Sequence, residues 1–157
     1  MKMPSPRASL ALAALAAAVV AVPLVAMRPA EGAGLLDYEN PAIVAAGRTI
    51  YDEACASCHG ANLEGQPDWR TRDAEGYLPA PPHDATGHTW HHPDTQLIDL
   101  TTRGVEAVVG GGYKSQMMGF GDVLTEDEIL AVLSYIKSTW PARVIATHNE
   151  INAAQGN

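Results

Sequence analysis

The chain has 157 residues, enough for one domain, and 46% of them are apolar, enough for a packed core. Its formal net charge is −8; without Lys2, Arg7, Arg28 and Glu31 of the first 32 residues it keeps seven basic and seventeen acidic side chains, or −10. Such a surface repels nucleic acid and anionic lipid, and favours a protein partner with a basic docking face.

The N-terminal stretch reads as targeting information. Lys2 and Arg7 precede twenty uncharged residues, Ala8 to Met27. This pattern is a secretory signal or a signal anchor. The Ala-rich character and Pro23 favour cleavage, with Ala30, Glu31 and Gly32 as a loose cleavage site; the length favours an anchor. Either way, the domain after Gly34 is expected outside the cytoplasm, because the positive charges stay inside.

The next segment, from Asn40 into "CASCHG", reads as a helix. Asn40 is placed to cap it and Pro41 to open it. Ile43, Val44, Gly47, Ile50 and Tyr51 recur at helical spacing. Residues 60–93 are rich in Gly, Pro and Asp and keep no period, so a long loop is expected. A loop of that length needs a reason in a compact domain, and wrapping a bulky ligand is one. Asp94 to Gly104 is a short helix with Leu97, Ile98 and Leu100 inward and Gly104 as its stop. A Gly-rich connection follows. The clearest helix is "LTEDEILAVLSYIKSTW", with Thr125 and Glu128 as a capping box, three acids in the first turn and Pro141 as the stop. The tail after Pro141 is expected to form a further helical stretch or to fray, with His148 exposed. No strand is evident, so the expected class is all-α.

The only two cysteines, Cys55 and Cys58, stand three positions apart, and His59 follows. A zinc site needs about four ligands, and no second pair stands at finger spacing. A thioredoxin-like dithiol belongs in a βαβ setting, whereas this pair follows a helix. A disulfide across three residues closes a loop too small to stabilise much. The remaining chemistry is covalent attachment of one haem c. Each thiol forms a thioether with one vinyl group, and His59 faces the iron from the same side. The sixth ligand is then sought among Met117, Met118 and the other histidines. "GHTWHH" gathers His88, His91 and His92 around Trp90, with His83 nearby. Copper handling is one reading of that cluster. A loop covering the haem edge, with Trp90 packed on the porphyrin or donating its N–H to a propionate, is the favoured one.

"GRTIYDEACASCHG", a Gly- and Pro-rich middle and "YKSQMMGFGDVLTEDEILAVLSYIKSTW" together resemble a bacterial class I, or monohaem, cytochrome c. The resemblance covers about residues 41–141. It implies the cytochrome c fold: three to five short helices wrapped around a covalent haem, over residues 38–142. Residues 1–33 are then signal or anchor with linker, and 143–157 a tail. The family's usual Met loop reads Met-Pro-x-Phe-Gly. Aligning Phe120 with that Phe implies Met117 as the iron ligand and Met118 in place of the Pro, with Met118 as the fallback. The family's Pro carbonyl that accepts from the proximal His implies Pro81 or Pro82 here, with Pro79 behind them. Gly47 and Tyr51 match its first-helix contact positions, facing Tyr135, Ile136 and Trp140. The function implied is electron transfer rather than catalysis, in the periplasm, soluble or tethered. The implied partners are an oxidase, a reductase or a bc1-type donor, with no nucleic acid and no membrane contact beyond the anchor. A haem subunit or sensor with a displaceable sixth ligand is the alternative.

Overall fold

In a computed structural model, residues 34–156 are described; the expected leader, residues 1–33, lies outside them. Six α-helices and one 3₁₀ turn make up the regular structure among these residues. They are α1 Pro41–Ala54, α2 Ala56–His59, the 3₁₀ turn Thr89–His91, α3 Asp94–Arg103, α4 Val105–Val109, α5 Glu126–Ser138 and α6 Ala142–Ala154. The all-α expectation holds. Two of the helices, α2 and α4, are single short turns within segments read from the sequence as a motif and a connection.

The frame is the crossing of α1 and α5. Asn40 caps α1 by accepting from the Ala42 N–H at 3.1 Å. The capping box of α5 closes in both directions: Thr125 N donates to Glu128 Oε2 at 2.8 Å and Glu128 N to Thr125 Oγ1 at 3.3 Å. The Thr125 N–H and hydroxyl, both donating to Glu128 Oε2, depress its carboxyl below the ordinary range. Ile129, Val132, Leu133 and Ile136 form the buried stripe of α5. Tyr51 of α1 is fully buried, 5.5 Å from Tyr135 between ring centroids, and its hydroxyl donates to Gly60 O at 2.8 Å.

The segment after Pro141 takes the helical alternative and forms α6, but His148 departs from expectation: it is 0% exposed rather than on the surface. Val144, His148 and Asn152, four apart, turn inward together. His148 Nε2 donates to His92 O at 3.0 Å, and its ring meets Trp140 edge-on at 5.1 Å. Asn152 Oδ1 accepts from Asp94 N at 2.8 Å. Asp94 Oδ2 in turn accepts from Leu35 N at 2.6 Å and Leu36 N at 3.3 Å. One buried carboxylate thus ties residues 35–36 to α3, while α6 reaches the same residue. Lys137 is also fully buried, with its ammonium 4.6 Å from the Tyr38 ring centroid.

The long loop is held by its own backbone. Gly65 N donates to His59 O at 2.7 Å, Gln66 N to Ala80 O at 2.8 Å and His83 N to Leu63 O at 2.8 Å. Its fold brings Pro81 back beside α2.

Candidate haem site

Cys55 sits at the break between α1 and α2, with φ −117° and ψ −37°. The tight turn that follows, with Cys58 N and His59 N both donating to Cys55 O at 3.1 and 3.0 Å, gathers Cys55, Cys58 and His59 on one wall of a cavity of about 620 Å³. Burial, and secondarily Cys58, pushes the Cys55 thiol up to about 11. That is the wrong direction for a redox dithiol, which needs a thiolate near neutral pH.

His59 is buried, and its Nδ1 lies 2.8 Å from Pro81 O. A carbonyl only accepts, so Nδ1 carries the proton and Nε2 keeps its lone pair. Burial pushes the ring's pKa below its ordinary value, which keeps it neutral. The ring is therefore in the form that ligates a metal, with its second nitrogen fixed from behind. Of the three prolines weighed from the sequence, Pro81 supplies the carbonyl.

Met117, Met118 and Phe120 line the same cavity. Their loop is strapped to the end of α3. Phe120 N donates to Thr101 O at 2.9 Å, Gly121 N to Thr102 O at 3.0 Å, and Val105 N to Met117 O at 3.3 Å. Gly119 permits this approach: a Cβ there would stand 2.6 Å from the Arg103 carbonyl carbon. Met117 is half-buried, while Met118 is 70% exposed at the rim. Leu97, Leu100, Val132, Leu133 and Ile136 make the apolar floor.

The histidine-rich segment divides. His83, His88 and His92 line the cavity; Trp90 and His91 do not. Trp90 stacks on His91 at 3.7 Å with its indole N–H buried and unbonded. The tryptophan on the cavity wall is Trp69, which stacks on His88 at 5.4 Å and 10°. The sequence reading chose Trp90 because it lies inside the histidine run; Trp69 reaches the wall through the fold of the loop, which no local pattern reports. Among the described residues, no group of three or more His, Cys, Asp or Glu is arranged to hold a metal ion, so the geometry lends the copper reading no support.

The sequence matches the family model for cytochrome c over residues 44–140. The chain belongs to the cytochrome c family. Family membership implies a covalently bound haem c, and the residues fit it: two thiols, a neutral imidazole, a thioether and several apolar side chains line one cavity. The chain is 28% identical over 100 residues to a nitrite reductase of Stutzerimonas stutzeri, covering 60% of this chain and 15% of that protein. It is 38% identical over 42 residues to the cytochrome bc1 complex cytochrome c subunit of Mycobacterium leprae, covering 27% and 14%. It is 27% identical over 113 residues to the cbb3-type cytochrome c oxidase subunit FixP of Bradyrhizobium diazoefficiens, covering 68% and 35%. The chain thus aligns with about a third or less of the length of each of these relatives. No solved structure matches it.

Proposed function

We propose that this chain is a periplasmic, monohaem electron carrier with His59 and Met117 as the iron ligands and Cys55 and Cys58 as the thioether anchors. Haem c, when bound, supplies a one-electron iron couple. The chain's residues anchor it, orient it and keep water from it. The observation that carries the reading is the 2.8 Å contact from His59 Nδ1 to Pro81 O, which leaves Nε2 as the free lone pair in a cavity shared by both cysteines and Met117. The exposure of Met118 favours Met117 over its neighbour. Met ligation in an apolar cavity places the reduction potential high for a haem.

The domain assignment is residues 38–142, with α6 as an addition beyond the family match. The uncharged run Ala8 to Met27 supports export, by a cleaved signal or a tether. Among the described residues, no helix is long and apolar enough to cross a membrane. The names of the bc1 and cbb3 relatives support redox partners in a respiratory chain: an oxidase, a reductase or a bc1-type donor. We read the task as electron transfer rather than turnover of a substrate.

The test is the absorption spectrum of the oxidised holoprotein. The weak far-red band of Met–Fe(III) coordination is expected in wild type and in Met118→Leu, and is expected to vanish in Met117→Leu. Survival of the band in Met117→Leu would reject the ligand assignment. Ready binding of carbon monoxide by the reduced wild type would reject the carrier in favour of a displaceable-ligand haem protein.

A further inference from the structure

His83 is held more completely than any role in filling space requires. Its backbone N–H donates to Leu63 O at 2.8 Å, and its carbonyl accepts from Trp140 Nε1 at 2.8 Å. Its ring Nδ1 lies 2.8 Å from Thr89 Oγ1. The ring stacks on His59 with centroids 4.0 Å apart and 25° between planes, while Tyr51 meets it edge-on at 6.3 Å. Leu63, which supplies the carbonyl, is a buried bulky residue at φ 65°. A branched side chain in the left-handed region is strained, and such strain persists only where the surroundings over-determine it. The His83 ring itself is half-buried and lines the same cavity as His59.

We propose that His83 is a positioning residue for His59, its ring fixing the rotation of the His59 imidazole and laying a π face against it. This rests on the reading of His59 as an iron ligand. Pro81 O holds the His59 ring at Nδ1, and the His83 face adds a second restraint across the plane of the ring. It also matters electronically. A ligand imidazole gains positive character when its iron is oxidised, and an aromatic face attracts positive charge. The stack therefore favours the oxidised state. Thr89 and Trp140 hold His83 through its ring nitrogen and its carbonyl.

The test compares His83→Leu with His83→Phe in the full-length holoprotein. Leucine keeps the site apolar and filled but removes the π face; phenylalanine keeps the face. Against a redox mediator, His83→Leu is expected to shift the equilibrium about fivefold toward the reduced form. Its low-spin electron paramagnetic resonance signal is expected to broaden as the His59 ring takes several orientations. His83→Phe is expected to restore both. A leucine variant with unchanged equilibrium and signal, or a phenylalanine variant no different from leucine, would overturn the proposal. Should His83→Leu fail to fold, Thr89→Val removes only the bond to Nδ1. It is expected to shift both readouts the same way by less, and wild-type values in it would also overturn the proposal. A wild-type protein without a low-spin imidazole signature would instead reject His59 as the ligand.

Discussion

Gly47 of α1 rests on the backbone of Ala131 in α5, so closely that a Cβ on Gly47 would stand 2.0 Å from the Ala131 carbonyl oxygen. The obstacle is helix backbone, which cannot yield as a side-chain tip can. Gly47→Ala is expected to force the two helices apart and to cost about 3 kcal/mol. Gly111→Ala, at φ 62° in open space, is expected to cost only about 1 kcal/mol. Chemical denaturation of the two variants checks the contrast.

Asp94 collects two backbone N–H groups from Leu35 and Leu36 on one oxygen and stands 3.4 Å from His148 Nε2 with the other. Asp94→Ala is expected to cost about 3–5 kcal/mol, because it strands buried donors and removes a negative charge that favours the charged form of buried Lys137. Amide hydrogen exchange at Leu35 and Leu36 is expected to accelerate more than exchange in α5. Equal acceleration would mean global unfolding rather than release of that segment.

His148 gives stability a pH dependence of known sign. Burial, then the Lys137 charge, lowers its pKa from the ordinary value near 6.5, against weaker raising contributions from Asp94 and the His92 carbonyl. Its Nδ1 is buried without a partner, so a second proton there would be unsatisfied. The unfolded chain therefore takes up the proton first. Stability is fully present above about pH 6.5 and falls as pH drops below it, by at most about 1.4 kcal/mol per pH unit for this group. His59 and His83, also lowered chiefly by burial, act in the same direction. His148→Gln is expected to flatten the slope between pH 6.5 and 5 without abolishing it. An unchanged slope would mean that His148 is not a source of the dependence.

Tyr51→Phe isolates one hydroxyl. Its loss leaves Gly60 O without the donor it has at 2.8 Å, just past His59. A cost of about 1–2 kcal/mol is expected. The ring still packs on Tyr135 and His83, so the haem absorption spectrum is expected to stay unchanged.

Local patterns carried much of the sequence reading. The cysteine spacing needs only one turn of chain, the capping box four residues, and the α1–α5 crossing two stripes with a glycine in one of them. Met117 and Phe120 came from a loop motif, and both line the cavity. What escaped the sequence has a shared physical cause. The inward face of α6 is built on Val144, His148 and Asn152, and two of these are polar. A search for apolar periodicity passes over such a stripe, because its burial is supported by hydrogen bonds rather than by hydrophobicity. Those bonds run to His92 and Asp94, more than fifty residues away. The stacking of His83 on His59 and the arrival of Trp69 at the cavity likewise depend on how the long loop closes.

The Asp94 junction also has a mechanical meaning. At Gly34 a Cβ would stand 2.5 Å from Asn152 Nδ2, so the first described residues and the last helix touch. Chain entering at Gly34 is clipped to α3 before it reaches α1. A pull arriving through that segment is taken up by the Asp94 carboxylate and passed to α3 and α6. Because α3 also holds the Met117 loop through Thr101 O and Thr102 O, a tug on the N-terminal side bears on residues that line the cavity.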